Sequence, residues 1–471
     1  MPQRRSHVAP SAAQTELASA LAALRESLDG PVDFPAEVLA EAERSTATAP
    51  VLDLREIPFA TLDPEGSRDL DQAFHLERAG SGFTVRYAIA DVPGFVIPGG
   101  AVDAEARRRG QTLYAADGRI PLHPAILSED RASLLPDVDR PALVWTFALD
   151  SAGVVTDFRL ERALIRSRAQ LDYTTTQQTL DRGEEGPATL LPVIGALRLE
   201  QERRRGGASL NLPDEEVVRA DDGTYAIERR SPLPVEEWNA QLSLMTGMAA
   251  ASLMLDAGVG ILRTMPEPDD AAFDTFRHQT EALGRPWTTG TYGEYLRGLD
   301  RSDPMTLPVL EAAASLFRGA GYLVFDGEAP RDAVQAAIAA PYAHATAPLR
   351  RLVDRWVLAI CLAAANGEPA PEWARASLSE LPALMQESGQ RASRLNAATV
   401  NAVEAALLTP LVGTTIDATV IELRGERASI QIAEPAVTAT APLPADAKPG
   451  DIVRLRVVRA DIARGEVEFA L

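Results

Sequence analysis

Three aspartates lie within nine residues, between two segments with the alternating pattern of strands: Asp63, Asp69 and Asp71. Asp63 follows the apolar run 57–62, and residues 64–66, Pro-Glu-Gly, turn the chain. Crowded carboxylates repel one another and raise one another's pKa. A divalent cation relieves that repulsion, and oxygen ligands alone suit Mg²⁺ or Mn²⁺, the ions of phosphate chemistry. The segment therefore predicts a metal site.

The spacing of the aspartates supports this interpretation but leaves an alternative open. If Asp69 and Asp71 lie in a strand, both point to one face, and the turn brings Asp63 against them. A calcium-binding loop is excluded, because the required glycine and the distal glutamate are missing after Asp71. The alternative is a hairpin turn in which aspartates only cap backbone amides.

Composition excludes several classes of protein. The single lysine, Lys448, rules out a Walker-type ATP site, so no ATP is expected. The single cysteine, Cys361, lies in an apolar run and is expected to be a buried thiol rather than part of a disulfide or zinc site. No stretch of eighteen apolar residues and no secretory signal are evident, so we expect a cytoplasmic protein without a membrane segment.

Periodicity divides the 471 residues into three predicted domains, 1–50, 51–410 and 411–471. The first carries two helical patterns and is either helix-turn-helix-like or a simple αα-hairpin. In the second, strand patterns to about residue 175 precede long helical patterns. The third reads as a small five-stranded barrel of the oligonucleotide-binding type, with residues 434–450 as its long loop. The predicted fold class is a multidomain α+β protein.

Six segments in order resemble motifs of the ribonuclease II/ribonuclease R family. Thr61 to Phe74 is similar to the signature that opens the family's catalytic domain. The other five are Tyr87–Pro93, Gly110–Tyr114, Arg203–Ala208, Val235–Asn239 and the stretch from Tyr342 to Asp354. Each motif is weak alone, but the ordered set covers roughly residues 53–408. The terminal barrel resembles the S1 domain that usually follows in this family.

The resemblance implies an RNB-type catalytic domain and an S1-like barrel in a hydrolytic 3′→5′ exoribonuclease. Such an enzyme degrades single-stranded RNA with a free 3′ end processively to nucleoside 5′-monophosphates, using Mg²⁺ or alternatively Mn²⁺. We expect a monomer. By position, the catalytic residues are Asp69, Asp71 and Arg350. The implied metal ligands are Asp63, Asp69, Asp71 and Gln72, and the implied RNA-binding residues are Tyr114, Tyr173, Arg203, Glu236 and Arg351.

Each of these residues also has an ordinary structural interpretation. Tyr114 would be a core aromatic, and Glu236 a carboxylate in the first turn of a helix. Arg350 and Arg351 would start a helix and pair with acidic groups, and Arg203 would belong to a solvated charged face. For His344, within the last motif, a structural hydrogen bond is favoured over acid/base work.

The chain departs from the family pattern in several places. Gln72 stands where the family has a fourth aspartate, and Asn211 where it has a second stacking aromatic. Residues 396–398 replace a family glutamate. The helical leader is too short for the two cold-shock barrels common in the family. Gln72 and the lost glutamate support an alternative function, a catalytically degenerate RNA-binding regulator of the same fold.

Overall fold

A computed structural model describes residues 4–7, 12–27, 33–50, 52–116, 118–208, 214–219, 225–300, 306–425, 427–432, 434–435, 437–444 and 446–471. The helices are α1 Ala12–Ser27, α2 Ala36–Arg44, α3 Val92–Phe95, α4 Ala101–Arg109, α5 Tyr173–Asp181, α6 Leu191–Arg205, α7 Pro234–Ala257, α8 Asp270–Ala282, α9 Tyr292–Arg297, α10 Thr306–Ala314, α11 Leu352–Ala365, α12 Glu372–Ala376 and α13 Leu381–Leu408. Leu127–Arg131 forms a π-helical turn, and Leu378–Glu380 and Thr409–Leu411 form 3₁₀ turns.

Within the described ranges, the strands form six sheets, of which two are large. The strands are β1 Arg4–His7, β2 Leu52–Asp53, β3 Phe59–Asp63, β4 Gln72–Ala79, β5 Gly82–Ala90, β6 Leu113–Ala115, β7 Gly118–Ile120, β8 Asp139–Leu149, β9 Val155–Asp172, β10 Asp214–Arg219, β11 Tyr225–Arg230, β12 Val259–Thr264, β13 Gly321–Asp326, β14 Val334–Gln335, β15 Ala340–Pro341, β16 Thr415–Arg424, β17 Arg427–Ile432, β18 Val437–Pro442, β19 Ile452–Asp461 and β20 Glu466–Ala470.

The central sheet has the order β2-β9-β3-β4-β5-β8, and β9 also pairs with β8. The first part of the 18-residue strand β9 runs antiparallel to β8, and its last part runs parallel to β3. The sheet therefore closes on itself through one long strand. The last residues of β3 and β9, Asp63 and Asp172, lie opposite each other. This closure places the acidic loop at one end of the sheet.

The two faces of this sheet belong to different cores. Along β8, Leu143, Trp145 and Phe147 face a large core shared with α6, α7 and α11. Between them, Ala142 and Val144 face a second core with α2 and α3. Alternate residues of a strand point to opposite faces, so the bulky set and the small set separate cleanly. The strand-rich texture predicted for this region is confirmed.

The helical half of the catalytic region packs on the bulky face of the sheet. Residues Leu352–Cys361 of α11 are all buried, so this part of the helix is enclosed by protein on every side. Cys361 is fully buried, with Sγ 3.5 Å from the carbonyl oxygen of Ala250, which confirms the expected buried thiol. None of the described helices combines the length and the apolar character needed to cross a bilayer.

The C-terminal sheet has the order β18-β17-β16-β19-β20, and it curls into a nearly closed barrel. The predicted five-stranded barrel is confirmed. The prediction of a long loop over residues 434–450 is wrong in part, because β18 pairs along its whole length with β17. Val437 and Ala441 of β18 are buried while the residues between them are partly or fully exposed. Small residues gave this strand too weak an apolar pattern for recognition from sequence.

The two N-terminal helices pack in different places. Leu17 and Leu21 of α1 join the core formed by the end of α13 and the barrel. Val38 and Ala42 of α2 join the core on the small-residue face of the central sheet, next to α4. The division of the chain at residues 50 and 410 stays a prediction.

The protein should become less stable as the pH is lowered, because of His123, whose side chain is only 1% exposed. Burial and the nearby Arg355 lower its pKa from 6.5 to about 3. Between these values the unfolded chain binds a proton that the folded chain excludes, so acid favours unfolding. We expect the free energy of unfolding in urea to lose about 1 kcal/mol from this group between about pH 7 and about pH 5.5. His123→Gln should lack this contribution; an unchanged pH dependence would contradict the assignment.

Candidate active site

The acidic loop is extended between β3 and β4 but is not itself a strand. Asp63 is the last residue of β3, and β4 begins only at Gln72. Asp69 and Asp71 therefore lie in the connecting segment, and the expectation that both belong to a strand is wrong. Ser133 holds this segment, since its hydroxyl accepts from the amide of Leu70 at 2.9 Å. The two aspartates consequently find different partners.

Asp63 carries a carboxylate oxygen that has no hydrogen-bond partner among the residues that the structure describes. Its Oδ2 atom is buried, and no described group donates a hydrogen bond to it. Burial raises the pKa of Asp63 from 3.8 to about 6; the charge of Arg350 opposes this rise and that of Asp69 adds to it. A buried carboxylate oxygen without a donor is costly unless a cation or a ligand completes its coordination.

Asp71 contacts the loop that carries Arg350, at Leu349, 278 residues later in the chain. Its Oδ1 accepts a hydrogen bond from the amide of Leu349 at 2.7 Å, and its Oδ2 lies 3.8 Å from Nε of Arg350. Burial raises the pKa of Asp71 well above 3.8, while Arg350 and the Leu349 amide pull it down. The carboxylate thus depends on positive charge nearby to stay ionised.

Asp69 is turned toward the short β6–β7 hairpin. Its Oδ1 accepts from Arg119 at 2.5 Å, and Arg119 also pairs with Glu129 at 2.7 Å. The hydroxyl of Tyr114 lies 3.5 Å from Oδ2 of Asp69. Tyr114 is 55% exposed, so its ring is open to a ligand rather than part of the core. Tyr114 and Arg119 are cross-strand partners, which places both beside the acidic loop.

The structure does not gather the predicted metal ligands into one set. Among the described residues, no group of three or more His, Cys, Asp or Glu side chains lies close enough to hold a metal ion. Asp69 is paired with Arg119, and Gln72 has partners on both sides of its amide. Asp63 and Asp71 keep oxygens that suit a hard cation, because one has no donor and both have raised pKa values.

The predicted arginine pair separates into two environments. The side chain of Arg350 is 48% exposed and faces Asp71. Arg351 instead makes two hydrogen bonds to the fully buried Asp354, at 2.8 and 2.9 Å. Asp354 also accepts from the amide of Ala347 at 2.7 Å. Arg350 keeps a half-exposed guanidinium, whereas Arg351 is bonded to a buried aspartate within the protein.

The remaining predicted RNA-binding residues lie at helix ends. Tyr173 begins α5 and hydrogen-bonds Asn239 of α7, and burial raises its pKa to about 12. Glu236 caps α7: it accepts from the amide of Leu233 at 2.9 Å and from Arg230 at 2.6 Å. The electrostatic coupling of Tyr173 to Asp63 and Glu236 shows that these groups share one region.

Arg203 lies elsewhere, at the exposed C-terminal end of α6. It pairs with Glu200 at 2.6 Å, as a solvated charged face would. His344 is half-buried, and its Nδ1 lies 2.8 Å from the hydroxyl of Tyr322. Burial and three arginines lower the pKa of His344, so the ring is neutral. Asn211 lies outside the described residues.

Two residues of this region escaped the sequence interpretation, Arg119 and Tyr87. Arg119 could have been found from the β6–β7 hairpin. It is the cross-strand neighbour of Tyr114, which the sequence had singled out, and such neighbours lie on the same face. Tyr87 lay inside a recognised motif, but its hydroxyl contact with Gln72 at 2.8 Å depends on strand register. Neither contact is visible without the pairing of the strands.

Comparison with known proteins identifies the family. Residues 51–366, more than half of the chain, match the RNB domain. The chain belongs to the RNB family. Residues 414–471 behind the RNB domain match the RNase II-type exonuclease C-terminal S1 domain. The RNB match explains why the six ordered motifs occur together.

The RNB chain is similar to ribonuclease R of Escherichia coli (strain K12), with 29% identity over 327 residues that cover 65% of this chain and 39% of the relative. It spans about a third to two fifths of the curated relatives it matches. The fold also matches Mycoplasma genitalium RNase R in complex with ribose methylated single-stranded RNA, with TM-score 0.86, 17% identity and coverage of 97% of this chain and 78% of that one. A further match is yeast Ssd1, a pseudonuclease, with TM-score 0.69, 19% identity and coverage of 91% and 55%.

Asp354→Asn should destabilise the protein strongly, because it removes the charge that compensates Arg351. Breaking a buried, hydrogen-bonded ion pair from one side costs about 3–5 kcal/mol. Asp326→Asn is the matched control, since Asp326 pairs with Arg375 where both side chains are largely exposed. We expect urea unfolding to show a much smaller loss for the control. Equal losses in the two variants would contradict the structural role of the Arg351 pair.

Proposed function

We propose that this protein is a hydrolytic 3′→5′ exoribonuclease that degrades single-stranded RNA processively and releases nucleoside 5′-monophosphates. The observation that carries the proposal is the meeting of Asp71 and Arg350, 3.8 Å apart, beside the unpartnered Oδ2 of Asp63. Acidic oxygens and a half-exposed guanidinium at one point suit a phosphodiester flanked by a cation. Membership of the RNB family supports the same chemistry.

Asp63 and Asp71 would hold the divalent cation, with Mg²⁺ proposed and Mn²⁺ as an alternative. When bound, such an ion supplies positive charge to phosphate oxygens and favours an attacking water. The donor set fits, because Asp63 Oδ2 lacks a hydrogen bond and cation charge offsets the raised pKa of both carboxyls. Asp69, paired with Arg119, is proposed to act in the same acidic centre.

Arg350 and Tyr114 are proposed to bind the RNA itself. The planar guanidinium can donate to two phosphate oxygens and oppose the charge that develops in the transition state. The exposed ring of Tyr114 offers a stacking surface for a base at the 3′ end. A strand with a free 3′ end places its last phosphodiester between them. Tyr173 and Glu236 are proposed as neighbours of the terminal nucleotide, and Arg203 and Arg351 as further RNA contacts.

The second candidate function is a catalytically inactive RNA-binding regulator of the same fold. Gln72 favours it, because an amide adds no charge where the resemblance expects a carboxylate. The match to a pseudonuclease shows that the fold occurs without nuclease activity. The three aspartates and Arg350 favour the enzyme. A cytoplasmic location and a monomeric state remain predictions.

Asp71→Asn should abolish RNA shortening while RNA binding persists. Asn keeps an oxygen that accepts from the Leu349 amide but removes the charge opposite Arg350. A 5′-labelled single-stranded RNA is incubated with the wild type in Mg²⁺ and in EDTA, and with the variant in Mg²⁺. Asp157→Asn, at an exposed position on β9, is the control and should match the wild type. A wild type that never shortens RNA in Mg²⁺ would support the regulator instead.

Tyr114→Ala should weaken binding of single-stranded RNA by about 5- to 150-fold, because a base–aromatic stack contributes about 1–3 kcal/mol. Tyr114→Phe should bind like the wild type, since it keeps the ring and removes only the hydroxyl near Asp69. Fluorescence anisotropy of labelled RNA in EDTA measures affinity without cleavage. Similar affinities for the Ala variant and the wild type would remove Tyr114 from the RNA site.

A further inference from the structure

The side-chain amide of Gln72 joins the central sheet to the loop that carries Arg350. Its Nε2 donates to the carbonyl oxygen of Thr346 at 2.5 Å. Its Oε1 accepts from the hydroxyl of Tyr87 at 2.8 Å, and that hydroxyl lies 2.9 Å from Oγ of Ser243 on α7. One chain of hydrogen bonds thus runs from α7 through two strands to the arginine loop.

The orientation of this amide follows from its partners. The Thr346 carbonyl can only accept a hydrogen bond, so the group facing it must be the NH₂ of Gln72. The oxygen of Gln72 then faces Tyr87, which is 1% exposed. Burial raises the pKa of Tyr87, so its hydroxyl keeps the proton that it donates. A carboxylate at position 72 could not replace this arrangement, because it has no hydrogen to donate to Thr346.

Asp71 and Gln72 hold the two ends of one turn. Asp71 accepts from the amide of Leu349, and Gln72 donates to the carbonyl of Thr346. Beyond this turn, the backbone carbonyl of Arg350 accepts from the amide of Thr112 at 2.9 Å. The backbone of Arg350 is therefore held by hydrogen bonds in the turn before it and at its own carbonyl oxygen, which limits the positions of its side chain. Loss of the Gln72 bond would leave the Thr346 carbonyl buried without that donor.

We propose that Gln72 is a positioning residue that holds the turn 346–349 and thereby sets the guanidinium of Arg350 against the scissile phosphate. Gln72 acts through hydrogen-bond donation and not as a metal ligand. This inference rests on the proposed exoribonuclease function for its kinetic consequence. Its structural part, the tie between Gln72 and the turn, does not depend on catalysis.

The variant Gln72→Glu tests whether Gln72 acts as a hydrogen-bond donor to the turn. Gln72→Glu keeps the shape and an oxygen but loses the donor, and should lower kcat by at least about tenfold through displacement of Arg350. Its KM should stay within about twofold of the wild type, since the change acts on the transition state. Gln201→Glu is the matched control, because Gln201 of α6 donates to the carbonyl oxygen of Ala152 at 2.9 Å. This variant should leave kcat unchanged. Full activity of Gln72→Glu would overturn the proposal.

Metal binding provides a readout that does not need activity. Gln72→Met removes both the donor and the amide oxygen, and should bind Mn²⁺ in titration calorimetry within about twofold of the wild type. A loss of Mn²⁺ affinity of about tenfold or more would show that Gln72 is a ligand and overturn the proposal.

A double-mutant cycle tests whether Gln72 acts through Arg350. In the Arg350→Ala background, Gln72→Glu should change kcat by less than about twofold, because the group it positions is absent. If the decrease in kcat of the double variant equals the product of the decreases in the two single variants, the residues act independently and the proposal is overturned.

Hydrogen exchange tests the tie in the absence of any nuclease activity. In Gln72→Met, the peptide covering residues 343–352 should exchange faster than in the wild type, while Gln201→Glu should leave that peptide unchanged. Unchanged exchange in Gln72→Met would overturn the inference even if the protein degrades RNA. Faster exchange in a protein that never degrades RNA would support the tie and remove only the proposed function.

Discussion

The candidate site depends on the hydrogen-bonded contact between the end of the acidic loop and the turn 346–349. Asp71 and Gln72 are adjacent in the chain, and one accepts from the turn while the other donates to it. Asp71 and Thr346 are both buried, so an acceptor left without its donor at either residue would cost free energy, which favours one position of the loop.

This contact can form because the fold brings distant segments to one end of the central sheet. The sheet closes through β9, whose last residue lies beside Asp63. Bulky residues on one face and small residues on the other let helices approach both faces. Helix α11, buried over residues 352–361, then begins directly after Arg350 and Arg351. The loops that carry the site residues are therefore anchored to the sheet and to this helix.

The sequence was sufficient for the sheet, the long helices, the barrel and the family, because each has a periodic pattern or an ordered motif. It was insufficient to predict which side chains form hydrogen bonds and ion pairs with one another. The motif predicted Arg351 as an RNA contact, yet its i,i+3 spacing to Asp354 marks the pair that the structure contains. Asp69 and Asp71 were expected on one strand face, but Arg119 and Leu349 draw them apart. Contacts between residues far apart in the chain leave no periodic signal in the sequence. Strand β18 was missed for another reason, because its small residues weaken the apolar alternation typical of a strand.

Helix α13 connects the two ends of the molecule that would handle RNA. Its 28 residues span about 42 Å at 1.5 Å per residue. Leu395 packs with Leu113 and Ile120 of the hairpin that bears Tyr114, and residues 402–408 enter the core of the barrel. A single helix transmits rotation and translation along its length. The barrel and the hairpin that bears Tyr114 thus pack on one helix, so a rigid-body movement of α13 would displace both.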